Sequence, residues 1–327
     1  MNSKSLNWGL LSTARINSEL IPPLRTSKRN QLLAVASRSQ ESANNYASEW
    51  KIPRAYSSYE DLLADNEIDV IYNPLPNHLH AEWTIKAVEA GKHVLCEKPL
   101  TLTVKEADAI AKAAQKHKRI VAEAFMYRHH PQTLKVKELV QNGSIGTLKL
   151  LRGSFSFVLD NEGDIRLDLA MGGGSIWDVG CYPISFIRTV VGTEPIEVFG
   201  WQVTGPTDID DTFVGNLHFA EGVYGQFDSS FVIPFHAYME IVGSEATLIV
   251  PTPFKPRLSE KFFLVRNGKT ETIKVKGQDL YLGEVEDMAD TILLGKSPRI
   301  SLEDSRANIA VITAFFESAR TGAAVKL

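Results

Sequence analysis

Cysteines and long apolar runs are scarce in this chain of 327 residues. Its two cysteines, Cys96 and Cys181, are too few for a disulfide framework or a zinc cluster, which favours a reducing compartment. No stretch reaches the roughly 18 apolar residues that indicate a membrane span, and residues 1–7 lack the apolar core of a signal peptide. We therefore expect a cytoplasmic protein without a membrane-spanning segment.

Basic clusters and metal-ligand patterns are scarce as well. The formal net charge is -4, and the densest basic cluster is the short segment His117–Arg119, so nucleic acid is not an expected partner. The histidines form no spaced set with Cys, Asp or Glu, and we expect no metal. The hydrophobic fraction of 44% is typical of a globular protein, and the length suggests about two domains.

Predicted strands and helices alternate in the first part of the chain. A helix is expected to open at 12–17 and to stop before Pro22 and Pro23. Apolar runs predict strands at 6–11, 31–36, 68–72, 92–96 and 119–124. Such alternation with short connections is typical of a parallel, doubly wound sheet. We predict an α/β protein whose residues 1–123 form a dinucleotide-binding Rossmann domain.

Closely spaced strands dominate the rest of the chain, residues 124–327. After a helix at 131–142, strands are predicted at 147–158, 196–204, 212–219, 223–231, 237–242, 247–250, 261–265 and 271–276. This spacing predicts an α+β domain with a large, mostly antiparallel, open sheet. Helices on one side of such a sheet leave its other face uncovered, and an apolar sheet face must pack against something. A second copy of the chain would cover it. We therefore expect a homodimer or a higher homo-oligomer through this sheet.

The segment Val94–Leu100 is an apolar run that turns directly into Glu97, Lys98 and Pro99. Open α/β sheets bind their ligands just beyond the carboxyl ends of the strands. A lysine at such a point can donate a hydrogen bond to a reacting oxygen or act as a general acid. Taken as a bare tripeptide, the segment is more typical of a surface Glu–Lys pair in a loop.

The first strand–helix turn lacks the glycines that usually hold a pyrophosphate. Ser12, Ala14 and Asn17 stand where the three glycines are expected. Serine and alanine are small enough for the backbone to approach a phosphate, and the hydroxyls of Ser12 and Thr13 can donate hydrogen bonds. The turn therefore permits cofactor binding, although a plain connection is an alternative interpretation.

The end of the second strand indicates which dinucleotide would bind. It carries Ser37, Arg38 and Ser39, with no acidic residue before Glu41. A carboxylate at this place would bind the ribose 2′-hydroxyl of NAD, whereas a guanidinium can bind a 2′-phosphate with two parallel hydrogen bonds. We predict NADP(H) in preference to NAD(H); the alternative is a solvated loop arginine.

A glycine-rich segment, Gly172–Gly174, precedes a predicted helix in the second half. Glycines let the backbone approach a ligand or another chain segment closely. Asp178 and Tyr182 lie four residues apart and share a helix face, and a tyrosine hydroxyl beside a lysine ammonium can relay a proton. Two alternatives stay open: Ser175–Asp178 fits a capping box, and Tyr182 is compatible with a packed aromatic.

Together these segments resemble the Gfo/Idh/MocA family of oxidoreductases. The segments that carry the resemblance are Glu97–Pro99, Asn73–His80, Gly172–Tyr182 and Glu123–Arg128. Within the family the chain is similar to the branch of NADP-dependent aldose (xylose-type) dehydrogenases and dimeric dihydrodiol dehydrogenases. The residues that carry this closer similarity are Trp8, Gly9, Ser12, Thr13, Arg166, Asp168 and 178–182.

The resemblance implies hydride transfer between a nicotinamide and a carbinol or carbonyl carbon of a sugar or sugar-like polyol. It implies that Lys98 binds the reacting oxygen and that Tyr182, at a position where many members have histidine, is the acid/base. Asp178 would orient the substrate or the lysine, and Arg166 would also contact the substrate.

A larger group of residues is expected to bind the cofactor, on the resemblance and on the strand ends. It comprises Ser12, Thr13, Ala14, Arg15, Ile16, Ser37, Arg38, Asn73, Pro74, Leu75, His78, Glu97, Lys98, Arg128 and Tyr281. Two other functions stay open, namely a dehydrogenase for non-sugar diols and a non-catalytic dinucleotide-binding sensor. An apolar pocket would favour the diol, and several polar side chains that pair with hydroxyls would favour a sugar.

Overall fold

The computed structural model describes residues 5–327 and divides the chain into two compact units. The first unit combines the chain up to Met126 with Tyr281–Arg306, and the second combines Tyr127–Leu280 with Ala307–Leu327. The division into domains between residues 123 and 124 remains a prediction, because compactness alone does not establish a domain. In the described part of the chain, no helix has both the length and the apolar character that a membrane crossing requires.

A six-stranded parallel sheet is the framework of the first unit. Its strands are β1 (Leu6–Leu11), β2 (Asn30–Ala36), β3 (Arg54–Tyr56), β4 (Val70–Asn73), β5 (His93–Glu97) and β6 (Val121–Ala124). Their spatial order is β3-β2-β1-β4-β5-β6, so the strand order reverses between β1 and β4. Doubly wound sheets bind ligands at such a switch point. The predicted Rossmann-type sheet is confirmed.

The helices between these strands are α1 (Asn17–Thr26), α2 (Gln40–Glu49), α3 (Tyr59–Ala64), α4 (His80–Glu89) and α5 (Val104–His117). The first helix begins at Asn17, within the predicted opening segment 12–17, but the prediction that it stops before Pro22 is wrong. Helix α1 continues through Pro22 and Pro23. Its side chains Leu20 and Leu24 are fully buried, so their packing outweighs the backbone hydrogen bonds that the two prolines remove.

The second unit is built on a nine-stranded sheet. After α6 (Pro131–Gln141) its elements are β7 (Leu148–Ser156), α7 (Cys181–Val191), β8 (Glu197–Thr204), β9 (Asp210–His218), β10 (Tyr224–Ser230), β11 (His236–Gly243), β12 (Thr247–Val250), β13 (Ser259–Arg266) and β14 (Lys269–Lys276). The chain then forms α8 (Leu282–Leu294), α9 (Leu302–Thr321) and β15 (Val325–Lys326).

The strand order in this sheet is β14-β13-β12-β11-β7-β10-β9-β8-β15. The pair β7–β10 is parallel, and every other neighbouring pair is antiparallel. The predicted large, mostly antiparallel sheet is confirmed. Residues Phe213 and Leu217 of β9 face the core and are fully buried, as the alternation of apolar residues along this strand indicates.

Candidate functional site

The strand ends of the first unit hold most of the residues predicted to bind a cofactor. Because β1, β2, β4 and β5 are parallel, their carboxyl ends lie at one edge of the sheet. The residues at these ends are Ser12–Ile16, Ser37 with Arg38, Asn73–Leu75, and Glu97 with Lys98. The structure therefore brings the predicted residues to the edge where doubly wound sheets bind dinucleotides, and their role in binding stays a prediction.

Ser12 adopts a backbone conformation that normally belongs to glycine. Its φ is +87°, in the region that residues with side chains rarely adopt. The Ser12 amide donates to the Ala36 carbonyl at 3.0 Å, and Asn17 Nδ2 donates to the Ser12 carbonyl at 2.9 Å. Among residues 5–327 the buried Ser12 hydroxyl has no hydrogen-bond partner. A glycine-like turn with an unsatisfied hydroxyl fits the phosphates of a dinucleotide.

The end of β2 presents a cation at the same edge. The Ser37 amide donates to the Tyr56 carbonyl at 3.0 Å, which fixes the start of the loop. The Arg38 side chain that follows is exposed. Ser39 accepts a hydrogen bond from the Ser42 amide and caps α2. An exposed guanidinium beside a capped helix start is compatible with a bound 2′-phosphate.

The backbone around Lys98 is held by two carboxylates, those of the half-buried Glu97 and the buried Glu123. The Lys98 amide donates to Glu97 Oε2 at 3.3 Å, and the Leu100 amide donates to Glu123 Oε1 at 2.8 Å. Glu123 is 1% exposed and belongs to β6, the strand next to β5. The peptide bond between Lys98 and Pro99 is cis. Neighbouring strands therefore fix the main chain from which the lysine side chain extends.

Tyr72 is a functional candidate that the sequence analysis missed, since it lies within an apolar run. Its hydroxyl donates to Glu97 Oε1 at 2.5 Å, and the residue is fully buried. Burial and the adjacent Glu97 carboxylate raise the pKa of Tyr72 well above its ordinary value, and Glu284 and Tyr281 contribute to the rise. The phenol therefore stays protonated and acts as a permanent donor that orients Glu97, the residue before Lys98.

A buried histidine joins the loops that follow β4 and β5. His80 Nδ1 lies 2.8 Å from the Pro99 carbonyl oxygen, and Nε2 lies 2.7 Å from the Leu75 carbonyl oxygen. Burial lowers the pKa of His80 to about 4, although the two carbonyl contacts favour the protonated ring. Asn73 Nδ2 donates to the His80 carbonyl at 3.2 Å. Asn73, a predicted cofactor residue, thus has a structural role in this turn, while His78 is exposed.

Tyr182 lies in an aromatic cluster of the second unit. A π-helical segment, Ile176–Gly180, leads into α7, and Tyr182 is the second residue of that helix. Its ring centroid lies 5.4 Å from that of Phe155, 5.6 Å from that of Phe254 and 5.7 Å from that of Tyr127. Tyr182 is therefore a packed aromatic, as one of the two interpretations of the sequence allows. It is buried, with 5% of its surface exposed.

Asp178 and Arg166, both predicted to contact a substrate, form an ion pair. Arg166 Nη1 donates to Asp178 Oδ2 at 3.4 Å. Arg166 Nε and Nη2 donate to the two carboxylate oxygens of Asp164 at 2.8 Å each. These carboxylates raise the pKa of Arg166, the hydrogen bond to Asp164 most of all. Asp168 accepts from the Ala170 amide at 2.8 Å and caps the short 3-10 helix Leu169–Met171 within the same loop.

The capping-box interpretation of Ser175 and Asp178 is wrong. Ser175 Oγ donates to Asp210 Oδ2 at 2.8 Å, and the Ile176 amide donates to the same oxygen at 2.7 Å. Asp210, 2% exposed, therefore caps this segment from β9. Burial raises the pKa of Asp210 to about 6, against the effect of these donors.

Two of the three glycines allow close contact with other chain segments. Gly174 has φ +126°, and a Cβ there would lie 2.2 Å from Asp210 Oδ1. A Cβ on Gly173 would lie 2.4 Å from the Arg166 carbonyl oxygen. Of the two roles that the sequence left open for the glycines, contact with another chain segment is the one observed here.

Besides His78, two predicted cofactor residues lie outside the strand ends, namely Arg128 and Tyr281. Arg128 is 8% exposed, and its Nη1 donates to Ser185 Oγ in α7 at 3.4 Å, within the second unit. Tyr281 is 6% exposed and stands at the start of α8, in the first unit. The role of Arg128 and Tyr281 in cofactor binding stays a prediction.

Family models match most of the chain. Residues 6–125 match a model described as an oxidoreductase family with an NAD-binding Rossmann fold. Residues 133–249 match the GFO/IDH/MocA C-terminal domain.

Similar sequences are named as dehydrogenases. The chain is 37% identical to the D-xylose 1-dehydrogenase (NADP(+)) 2 of Haloferax volcanii, over 98% of this chain and 99% of that protein. It is 29% identical to the trans-1,2-dihydrobenzene-1,2-diol dehydrogenase of Xenopus laevis, over 91% of this chain and 93% of that protein.

Among solved structures, the aldose-aldose oxidoreductase of Caulobacter crescentus has the same fold, with a TM-score of 0.93 at 23% identity over 99% of this chain and 100% of that one. KijD10, a 3-ketoreductase of Actinomadura kijaniata in complex with NADP and TDP-benzene, has a TM-score of 0.91 at 27% identity, over 96% of this chain and 98% of that one.

Proposed function

Because the chain belongs to the Gfo/Idh/MocA family of oxidoreductases, we propose that it transfers a hydride between a nicotinamide and the carbinol or carbonyl carbon of a sugar or sugar-like polyol. The observation that carries the proposal is the Lys98 segment at the ligand-binding edge of the Rossmann sheet, with its backbone held by Glu97 and Glu123. The similarity to a xylose dehydrogenase supports a sugar as the substrate.

The proposed cofactor is NADP(H), preferred over NAD(H). When bound, it supplies or accepts the hydride. Ser12–Ile16 would hold its phosphates at the glycine-like turn, and Arg38 with Ser37 would bind the 2′-phosphate. Asn73–Leu75, His78 and Glu97 would line the nicotinamide side, together with Arg128 and Tyr281. A similar structure contains NADP, which supports this choice.

The proposed chemistry divides the proton and the charge between two side chains. Lys98 donates a hydrogen bond to the reacting oxygen and stabilises its developing negative charge. Tyr182 takes the hydroxyl proton during oxidation and returns it during reduction. Asp178, paired with Arg166, accepts a hydrogen bond from a neighbouring hydroxyl and orients the substrate.

A substrate panel together with Lys98→Met tests the proposal. Aldoses, ketoses and dihydrodiols are screened by NADPH absorbance, in both directions and with both cofactors. We expect Lys98→Met to abolish nearly all turnover while NADPH binding stays measurable, and Lys105→Met, an exposed lysine of α5, to behave as the wild type. If Lys98→Met left both rate and binding unaffected, the assignment would be wrong. A bound cofactor that no substrate turns over would identify a sensor instead.

A dehydrogenase for non-sugar diols is the second candidate. The observation that favours it is the aromatic environment of Tyr182, formed by Tyr127, Phe155 and Phe254. The similarity to a dihydrodiol dehydrogenase agrees with it. A higher kcat/KM for an aromatic dihydrodiol than for every aldose in the panel would decide in its favour.

We also propose that a second copy of the chain covers the outer face of the nine-stranded sheet. Trp201, Val203, Val214 and Tyr224 lie on that face and are 43–62% exposed, which is unusual for so many large apolar side chains. Light scattering should give a dimer or larger, and Val214→Arg should dissociate it. A stable monomer at working concentration would reject this part of the proposal. We further propose that the protein is located in the cytoplasm, which cell fractionation would test.

A further inference from the structure

The loop between β7 and α7 holds an arginine between two carboxylates. Arg166 donates to both oxygens of Asp164 through Nε and Nη2, and to Asp178 through Nη1. The Arg166 amide also donates to Asp164 Oδ1 at 3.0 Å, so Asp164 is fixed by its own loop. The guanidinium carbon lies 5.3 Å from the ring centroid of Phe157. The side chains are 27% exposed in Arg166, 13% in Asp164 and 19% in Asp178.

Asp164, Arg166 and Asp178 together carry a net charge of one negative unit when all three side chains are ionised. Bidentate pairing with Asp164 uses the side of the guanidinium that would otherwise grip an anion. Any further anion at Arg166 would meet two carboxylates at short range, in a partly desolvated place where charges are weakly screened. The arginine is therefore already neutralised before a substrate arrives.

Hydroxyl groups meet no such obstacle. A hydroxyl both donates and accepts, so one can donate to Asp178 while its neighbour accepts from a remaining N–H of Arg166. A carboxylate or phosphoryl oxygen only accepts and cannot pair with Asp178.

On the basis of the proposed function, we infer that Asp164 restricts the substrate to uncharged, hydroxyl-bearing molecules by neutralising Arg166. Asp164 is thus a positioning residue that sets specificity through another side chain. Sugar acids and sugar phosphates are excluded, and neutral aldoses and diols are accepted.

Matched pairs of neutral and acidic sugars test this inference. D-glucose is compared with D-glucuronate, and D-galactose with D-galacturonate, by NADPH absorbance. For the wild type we expect kcat/KM to favour the neutral member by about 100-fold, in line with the weight of a close charge contact. Asp164→Asn keeps the size of the side chain and removes its charge, so the preference should fall by about tenfold. Raised salt should reduce the wild-type preference, because added ions screen the repulsion.

Asp160→Asn is the matched control, because it removes one charge from an exposed aspartate of the same loop. It should leave the preference unchanged, which separates a specific effect from a general loss of negative charge. Equal kcat/KM for neutral and acidic sugars in the wild type would overturn the inference while the proposed function stands, and so would an unchanged preference in folded Asp164→Asn. Failure to turn over any sugar or diol would overturn both. The wild-type comparison needs no variant, so a misfolded Asp164→Asn leaves the inference open to refutation.

Discussion

Asp210→Asn should change how the free energy of unfolding depends on pH. Asp210 is 2% exposed, and its carboxylate accepts hydrogen bonds from Ser175 Oγ and from the Ile176 amide. Burial raises its pKa from 3.8 to about 6. Asparagine has nearly the same shape, and its amide oxygen can accept both of these bonds, which end on a single carboxylate oxygen in the wild type. It has no charge at any pH.

The direction of the pKa change determines whether the free energy of unfolding rises or falls with pH. A carboxyl with a higher pKa in the native state binds its proton more tightly when the protein is folded. Its contribution to stability is therefore full below about pH 4 and is lost as the pH rises through about 6. A rise from 3.8 to about 6 corresponds to about 3 kcal/mol, at about 1.4 kcal/mol for each pKa unit. The wild type should lose up to this amount between about pH 4 and about pH 7, and Asp210→Asn should not.

Urea denaturation of both proteins, followed by tryptophan fluorescence across this pH range, measures the difference. The stability of Asp210→Asn relative to the wild type should increase by up to about 3 kcal/mol from the acidic to the neutral end. Asp211→Asn is the control, because alternation along β9 places Asp211 on the opposite face of the sheet. Parallel curves for the wild type and Asp210→Asn would refute the reasoning, as would the same change in Asp211→Asn.

Three further predictions concern the strand ends and the start of α7. Tyr72→Phe removes the donor to Glu97, and we expect kcat to fall by about tenfold, the weight of one charge-assisted hydrogen bond, with NADPH affinity retained in a fluorescence titration. Gly174→Ala places a Cβ against Asp210 at a φ of +126°, so its unfolding free energy should drop by about 2 kcal/mol or more, whereas a melting curve equal to that of the wild type would contradict the geometry. Arg38→Ala should raise the KM for NADPH by about tenfold or more and leave that for NADH unchanged; an unaltered ratio would count against a 2′-phosphate contact.

Local patterns in the sequence determined the two sheets. Alternation predicted the buried face of β9, with Phe213 and Leu217 in the core, because successive side chains in a strand point to opposite faces of the sheet. Runs of apolar residues separated by helical patterns predicted the parallel sheet, and with it the placement of Lys98 at a strand end. These properties depend on a few consecutive residues, so they can be inferred before any tertiary contact is known.

Elements too short for a pattern needed the structure. Strand β3 has three residues, all of them half-buried, and α3 has six, so neither leaves a clear periodic signal. Helix α1 passes through two prolines because Leu20 and Leu24 are buried against the rest of the first unit. In both cases packing against distant residues outweighs the local preference.

The chemical environment of the candidate residues was decided by tertiary structure alone. The sequence indicated Lys98, Tyr182 and Asp178 by type and position, and the resemblance to the Gfo/Idh/MocA family implied the class of reaction and the role of Arg166. Asp210 caps the segment before Tyr182. It lies 35 residues beyond its partner Ser175 in the chain, and no local sequence pattern indicates a contact over that separation. The charge of a side chain can be read from its letter. Its pKa and its partners depend on which loops meet in space, because burial and hydrogen bonds between distant segments set them.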